Sequence, residues 1–202
     1  VNTDHEQIAN LCGMLLAIQE YNLDHMITYH NTVASAKELA DDLKNMVSAF
    51  PTDIEESEIN IEVVHADQTT KQRADILKNY RESTDGINIL TNARCLTEGV
   101  DVKAVDSVAF FAPKWSTIDI IQAVGRCIRK NGDDKVGTIL IPVFFTPEMI
   151  AEYETESEAT NEVLLGSNYR YIWQVLQAIK EHDEVLEDEL NEWRREKGKV
   201  FR

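Results

Sequence analysis

No stretch of this sequence approaches the roughly 18 consecutive apolar residues that a membrane-spanning helix needs, so it offers no transmembrane segment. Cysteine is scarce. Cys12, Cys95 and Cys127 are odd in number, far apart and without a Cys-x-x-Cys pair, which argues against a disulfide scaffold or a zinc site and suits a reducing cytoplasm. His5, His25, His65 and His182 have no metal-ligand spacing and read as surface or core residues. The start, Val1-Asn2-Thr3, has no initiator Met and no basic stretch leading into an apolar one; it reads as a cut end, not a signal peptide. Basic charge is also short, with 20 Lys and Arg against 36 Asp and Glu, a net charge of −16. Phosphate contacts favour basic surfaces, so tight binding of nucleic acid by this chain alone is not expected.

Two further absences concern phosphate chemistry. The eight glycines form no Gly-x-x-x-x-Gly-Lys-Ser/Thr loop. The nearest approach, from Gly132 to Gly137, lacks the Lys and places acids where phosphate would lie. No Asp-Glu pair able to hold magnesium follows a strand, and Asp183-Glu184 falls within a C-terminal helical stretch. Hydrolysis of ATP by this chain alone is therefore not expected.

What is present is a soluble α/β pattern. The 43% hydrophobic content can bury a sizeable core. Ile8, Leu11, Leu15, Leu16 and Ile18 give a leading helix, and Met26–Tyr29 a short strand. From Val33 to Val47, Val33, Ala36, Leu39, Ala40, Leu43 and Val47 share one helix face. Residues 59–65 read as a strand, 69–80 as a helix, 87–90 and 105–111 as strands, 117–129 as a helix and 136–145 as a strand. Strands alternating with helices predict a three-layer α/β domain with a mainly parallel sheet. Crossovers are expected to be right-handed and ligands to bind beyond the strands' carboxyl ends. After Pro147 the texture becomes acidic, with 14 acidic and 7 basic residues from Glu148 to Arg202; such runs are solvated surface. A helix over 169–195 is expected, striped by Ile172, Leu176, Ile179, Leu186, Leu190 and Trp193. The expected division is 1–23 as leading helix and linker, 24–147 as the α/β domain and 148–202 as acidic segment and amphipathic helix.

Two segments carry chemistry. In the first, Thr91-Asn-Ala-Arg-Cys-Leu-Thr-Glu-Gly-Val-Asp101, a strand runs into a polar loop. Gly99 permits close backbone approach, and Asp101 can accept from a ribose hydroxyl. Alone, this is also an ordinary turn. In the second, Gln122, Gly125, Arg126 and Arg129 fall at i, i+3, i+4 and i+7, on one helix face. Ile121, Val124 and Ile128 lie about a third of a turn away and are expected to face the sheet. Arginine's planar fork suits phosphate oxygens, although two arginines on one helix also serve solubility.

Together and in this order, the segments resemble motifs V and VI of superfamily 2 helicases, the second reading Gln-x-x-Gly-Arg-x-x-Arg. Met26-Ile-Thr-Tyr-His-Asn31 is similar to motif IV, and Val64-His-Ala-Asp67 with Gln72-Arg73 to the next strand-loop-helix step. The resemblance covers residues 24–145 and implies the C-terminal RecA-like lobe. Within it, Arg126 and Arg129 would reach the phosphates of ATP, with Arg129 as arginine finger and Gln122 beside them, positioning the γ-phosphate or contacting motif V. Glu98, Gly99, Asp101 and Gly125 would line the nucleotide side, and Thr91, Asn92, His30 and Asn31 would touch the bound strand. The missing N-terminal RecA-like lobe would supply the phosphate loop and hold Mg2+. The motif variants resemble helicases of restriction systems and mobile elements more than the DEAD-box RNA group, which favours DNA over RNA. Two other readings stay open: a translocase that moves on duplex without separating it, and a non-catalytic nucleic-acid- or protein-binding module on the same fold. Trp115 could stack on a base or simply pack in its loop.

Overall fold

A computed structural model of the chain describes residues 5–50, 52–93, 95, 105–112, 116–128, 137–141 and 170. In chain order the elements are α1 (His5–Tyr21), β1 (His25–His30), α2 (Val33–Val47), a 3-10 turn (Glu56–Glu58), β2 (Ile59–His65), α3 (Thr70–Glu82), β3 (Ile87–Ala93), β4 (Ser107–Phe110), α4 (Thr117–Ile128) and β5 (Thr138–Leu140). The five strands form one parallel sheet in the order β2-β3-β1-β4-β5. This is the expected α/β, RecA-like layering.

A parallel sheet is covered on both faces, and the alternation of side chains sorts the core into two halves. Ile27 and Tyr29 join Val64, Leu90, Val108 and Phe110 on one face, against Tyr80, Ile120, Ala123, Val124 and Cys127 of α3 and α4. Met26, Ile89 and Ala109 point the other way, into Leu11, Met14, Leu15 and Ile18 of α1 and Leu39 and Leu43 of α2.

The helices begin where their caps dictate. Thr32 accepts from the Ser35 amide at 3.1 Å ahead of α2. Thr69 and Gln72 cap α3 reciprocally, and Ser116 and Asp119 do the same for α4. Each arrangement satisfies amides that the first helical turn leaves without partners.

The expected leading helix is α1; of the apolar residues that marked it, Leu11, Leu15 and Ile18 are buried together with Met14, while Ile8 and Leu16 are exposed. The strand expected to end at Leu90 runs on to Ala93, because Thr91 and Asn92 are buried between β1 and β2, the Thr91 hydroxyl donating to the Glu62 carbonyl and the Asn92 amide oxygen accepting from the Cys95 amide. On α4 Ile120, Ala123, Val124 and Cys127 are buried; of the three residues expected to face the sheet Val124 is among them, and the side chains of Ile121 and Ile128 lie outside the described residues. Of the strand expected over 136–145, residues 138–140 are described. Of the C-terminal helix, only Arg170 is, and it is helical.

Contacts at the start of β4 fix α4 to the sheet. The Asp106 carboxylate accepts the amides of Asp24 at 2.7 Å and His25 at 3.0 Å, holding β1 to β4. The buried Cys127 thiol donates to the Asp106 carbonyl at 3.0 Å, and burial pushes that thiol up to about 12. Where β5 begins, a Cβ on Gly137 would lie 2.8 Å from both the carbonyl oxygen and the sulfur of Cys127, so only glycine lets β5 pass this close to α4.

Candidate functional site

β1 and β4 are neighbours at the middle of the sheet, and the chain leaves them in opposite directions. From β1 it passes through α2 to β2 on one side, and from β4 through α4 to β5 on the other. The helices also cover opposite faces. Such a switch point opens a crevice beyond the carboxyl ends of the two strands, and the candidate residues His30, Asn31, Thr91 and Asn92 sit at the ends of β1 and β3 that border it.

These four are turned largely inward. His30 is buried, with Nε2 3.0 Å from the Thr28 hydroxyl and Nδ1 3.0 Å from that of Ser35 in the first turn of α2. Its ring stacks on Phe111 with centroids 5.4 Å apart, and burial lowers its pKa to about 4, so the imidazole is neutral near neutral pH. Thr91 is fully buried and donates to the Glu62 carbonyl at 3.4 Å. Asn92, equally buried, accepts from the Cys95 amide at 3.0 Å and so shapes the first turn of the loop after β3. Asn31 is half-buried and differs from the rest: its amide oxygen is shielded from solvent without a hydrogen-bond partner among the described residues.

The loop after β2 is braced from within. Gln68 accepts from the His65 amide and donates to the Val63 carbonyl, while Arg73 donates to the carbonyls of Ala66 at 3.1 Å and Gln68 at 2.7 Å. Gln72 is a helix cap. This step of the chain is therefore a rigid wall.

α4 presents the opposite character. Away from its buried stripe, Gln122 is exposed and Gly125 and Arg126 are half-buried. A Cβ built on Gly125 would meet nothing within 4 Å, so no packing among the described residues requires a glycine there. The Arg126 guanidinium lies beside the buried Tyr29 phenol. Burial drives that phenol well above its usual range and the arginine's charge pulls it part of the way back. Tyr29 in turn stacks on Phe110, its register partner on β4, at 5.3 Å. Arg126 is thus braced from β1 and β4 as well as by its own helix. Sequence reasoning placed Tyr29 in a short strand and in the segment similar to motif IV but gave it no role; the available signal was that two aromatics, Tyr29 and Phe110, fall in strands that a parallel sheet sets side by side.

Arg129, Glu98, Gly99 and Asp101 lie outside the described residues, as does Trp115. Among the described residues no group of His, Cys, Asp or Glu is placed to hold a metal ion, and no helix is long and apolar enough to cross a membrane.

Comparison with known proteins converges on one family. The model of the helicase conserved C-terminal domain matches residues 6–131. An ATP-dependent Type ISP restriction-modification enzyme, LlaBIII, solved bound to DNA, superposes with a TM-score of 0.69 at 25% identity, over 93% of this chain and 13% of that one. A probable helicase of African swine fever virus is 36% identical over 84 residues, 41% of this chain and 10% of its own. An ATP-dependent RNA helicase of Meyerozyma guilliermondii is 30% identical over 90 residues, 45% and 16% respectively. The chain therefore spans between a tenth and a sixth of the length of these curated relatives. With more than half of the sequence inside the family match, and a five-stranded parallel sheet beneath it, this chain belongs to the helicase conserved C-terminal domain family, the C-terminal RecA-like lobe of superfamily 2 helicases.

Proposed function

We propose that this chain is the second motor lobe of an ATP-dependent helicase or translocase acting on nucleic acid, with DNA as its track. The open face of α4 carries the reading. Gln122 is exposed, Gly125 has empty space before it and Arg126 is braced by Tyr29, so the face is held in place yet left uncovered by the described residues of its own domain. Uncovered by the described residues, this face fits the arginine side of a nucleotide site whose other side is the N-terminal RecA-like lobe. ATP, when bound there, supplies the phosphoryl group that is transferred. Arg126 and Arg129 then offer guanidiniums to its phosphates, a stabilisation of developing charge worth about 10³-fold or more for an arginine finger. Gln122 positions the phosphates, Glu98, Gly99 and Asp101 border the nucleotide, and Mg2+ is held by the other lobe. Thr91 and Asn92 support the floor of the strand track, with His30 and Asn31 at its edge. The domain division follows: 24–147 as the lobe, 1–23 leading into it, 148–202 as an appendage.

DNA is favoured over RNA by the restriction enzyme solved with DNA, whose likeness covers 93% of this chain. The test is ATP hydrolysis by the full-length parent with saturating DNA or RNA, beside the isolated chain. The parent is expected to turn over with DNA and the 202-residue chain to show no turnover above background. Robust hydrolysis by the isolated chain would overturn the half-motor reading, and stimulation by RNA alone would overturn the choice of track.

A further inference from the structure

We propose that the outer edge of β2 takes up an extended, Lys- or Arg-rich segment of a partner protein as a further strand of the sheet. β2 ends the strand order, and among the described residues it pairs with β3 alone, in one unbroken register from Ile59 to His65. The inner strands β1, β3 and β4 are buried along nearly their whole length, whereas in β2 Asn60 is exposed and Ile61, Glu62, Val63 and His65 are half-buried. Such an edge offers a row of backbone donors and acceptors to another strand. Successive residues of an extended strand turn their N–H and C=O to opposite sides. Glu62 faces β3, since its carbonyl accepts from the Thr91 hydroxyl. Val63 and His65 face outward, where the Gln68 side chain donates to the Val63 carbonyl at 2.9 Å and accepts from the His65 amide at 3.0 Å. One side-chain amide thus makes both bonds that a residue of a parallel neighbour would make across Val64. It fills only the last rung. The carbonyls of Ile59 and Ile61 and the amides of Ile61 and Val63 share the outward parity, and no described residue bonds them from that side.

Charge around the edge selects the occupant. From Asn45 to Thr70 the chain carries Asp53, Glu55, Glu56, Glu58, Glu62 and Asp67 and no Lys or Arg. Arg73, just beyond, is held by the carbonyls of Ala66 and Gln68. Edges are commonly blunted by Lys, Pro or a bulge, and β2 has none of these. Its acids guard it against a second copy of itself, because two such edges would set like charges side by side. They also repel the phosphates of nucleic acid. A strand of the opposite sign meets neither obstacle. Main-chain bonds would give the affinity, and bases flanking the strand the choice of partner. β3 separates β2 from the crevice between β1 and β4, so this docking is independent of the nucleotide chemistry.

The test uses the full 202-residue chain and, as probe, a short synthetic peptide of alternating Lys and Val. The peptide should bind and slow amide exchange at Ile61 and Val63 by about fivefold or more, the factor one net hydrogen bond supplies. Gln68→Ala opens the last rung; it should tighten binding by about fivefold and extend the slowing to His65. Two control peptides leave the protein untouched. One is the same peptide N-methylated throughout, which keeps its charge and loses its backbone donors; the other has Glu in place of Lys. Neither should bind. Equal binding of either control, or no slowing at Ile61 and Val63 with the Lys peptide, would overturn the proposal. So would protection of Ile61 that appears without peptide as the chain is concentrated, which assigns the edge to a second copy. Protection without peptide that is lost on deleting 194–202 would overturn it too, in favour of this chain's own basic end.

Discussion

Helices α2 and α4 leave adjacent strands, cover opposite faces of one sheet and bury stripes with the same i, i+3, i+4, i+7 step: Ala36, Leu39, Ala40 and Leu43 in one, Ile120, Ala123, Val124 and Cys127 in the other. They differ in what surrounds the stripe. Around α2 the polar groups turn inward and satisfy one another, His30 with Thr28 and Ser35, Thr32 with its own first turn. Around α4 the polar face is left open, with a glycine no neighbour requires. The polar residues around one helix hold the sheet, while those of the other form the face that, on the function proposed above, meets a partner outside the domain. Composition alone does not separate the two; the difference lies in which polar atoms already have partners.

The comparison breaks most sharply at the arginines. In the full-length parent, Arg129→Ala and Arg126→Ala should each cut steady-state ATP hydrolysis by about 10³-fold with little change in melting temperature, and Lys should rescue only partly because it lacks the planar fork. Lys130→Ala, off that face, should be close to silent. Near wild-type turnover in both alanine variants would make α4 another solvated helix and erase its contrast with α2.

On the α2 side the expected effect is one of pH. His30 titrates near 4 when folded because burial disfavours its charged form, against about 6.5 in an unfolded chain. The unfolded state therefore binds the proton first as pH falls. Stability is fully present above about 6.5 and is lost progressively towards 4, by about 3 kcal/mol in all for this group. Denaturant midpoints of wild type and His30→Asn, measured across that window, should converge as the pH drops. Parallel curves would mean that His30 is not the buried neutral group described.

A smaller effect reads the two requirements of α4 against each other. Gly125→Ala should stabilise the domain by about 0.5–1 kcal/mol, since Ala is the better helix former and the space is open. Turnover by the parent should nevertheless fall, because the methyl occupies space kept for the nucleotide side. Greater stability with unchanged turnover would show the open space to be incidental. The smallest expected effect is on a cap: Thr69→Ala should cost α3 about 1 kcal/mol and leave hydrolysis unaltered, as a helix that only walls the site allows.

Much of this was legible in the sequence, for reasons visible in particular residues. The bounds of α2 and β2 follow from an apolar period bracketed by Thr32 and from a β-branched run ending at His65. β3 was read short because Thr91 and Asn92 look like loop residues, and only pairing to strands on both sides explains polar side chains buried there. On α4 the sequence reading picked out Val124, which is buried, but passed over the small Ala123 and the thiol of Cys127, which share its buried stripe. Motif order pointed to the site, but the bracing of Arg126 by Tyr29 was not legible: a contact between residues 97 positions apart depends on the sheet order, which no local period encodes.

The tight passage of Gly137 over Cys127 has a mechanical consequence. With backbone against sulfur at a separation no side chain could share, and the thiol bonded to the start of β4, sliding or pivoting of the end of α4 on the sheet would have to break these contacts. On the function proposed above, the backbone of α4 would then approach a nucleotide only as the whole domain turns, like a solid lever, and a substitution far from α4 that stiffened the hinge to a second lobe would be expected to slow hydrolysis as removal of a guanidinium does.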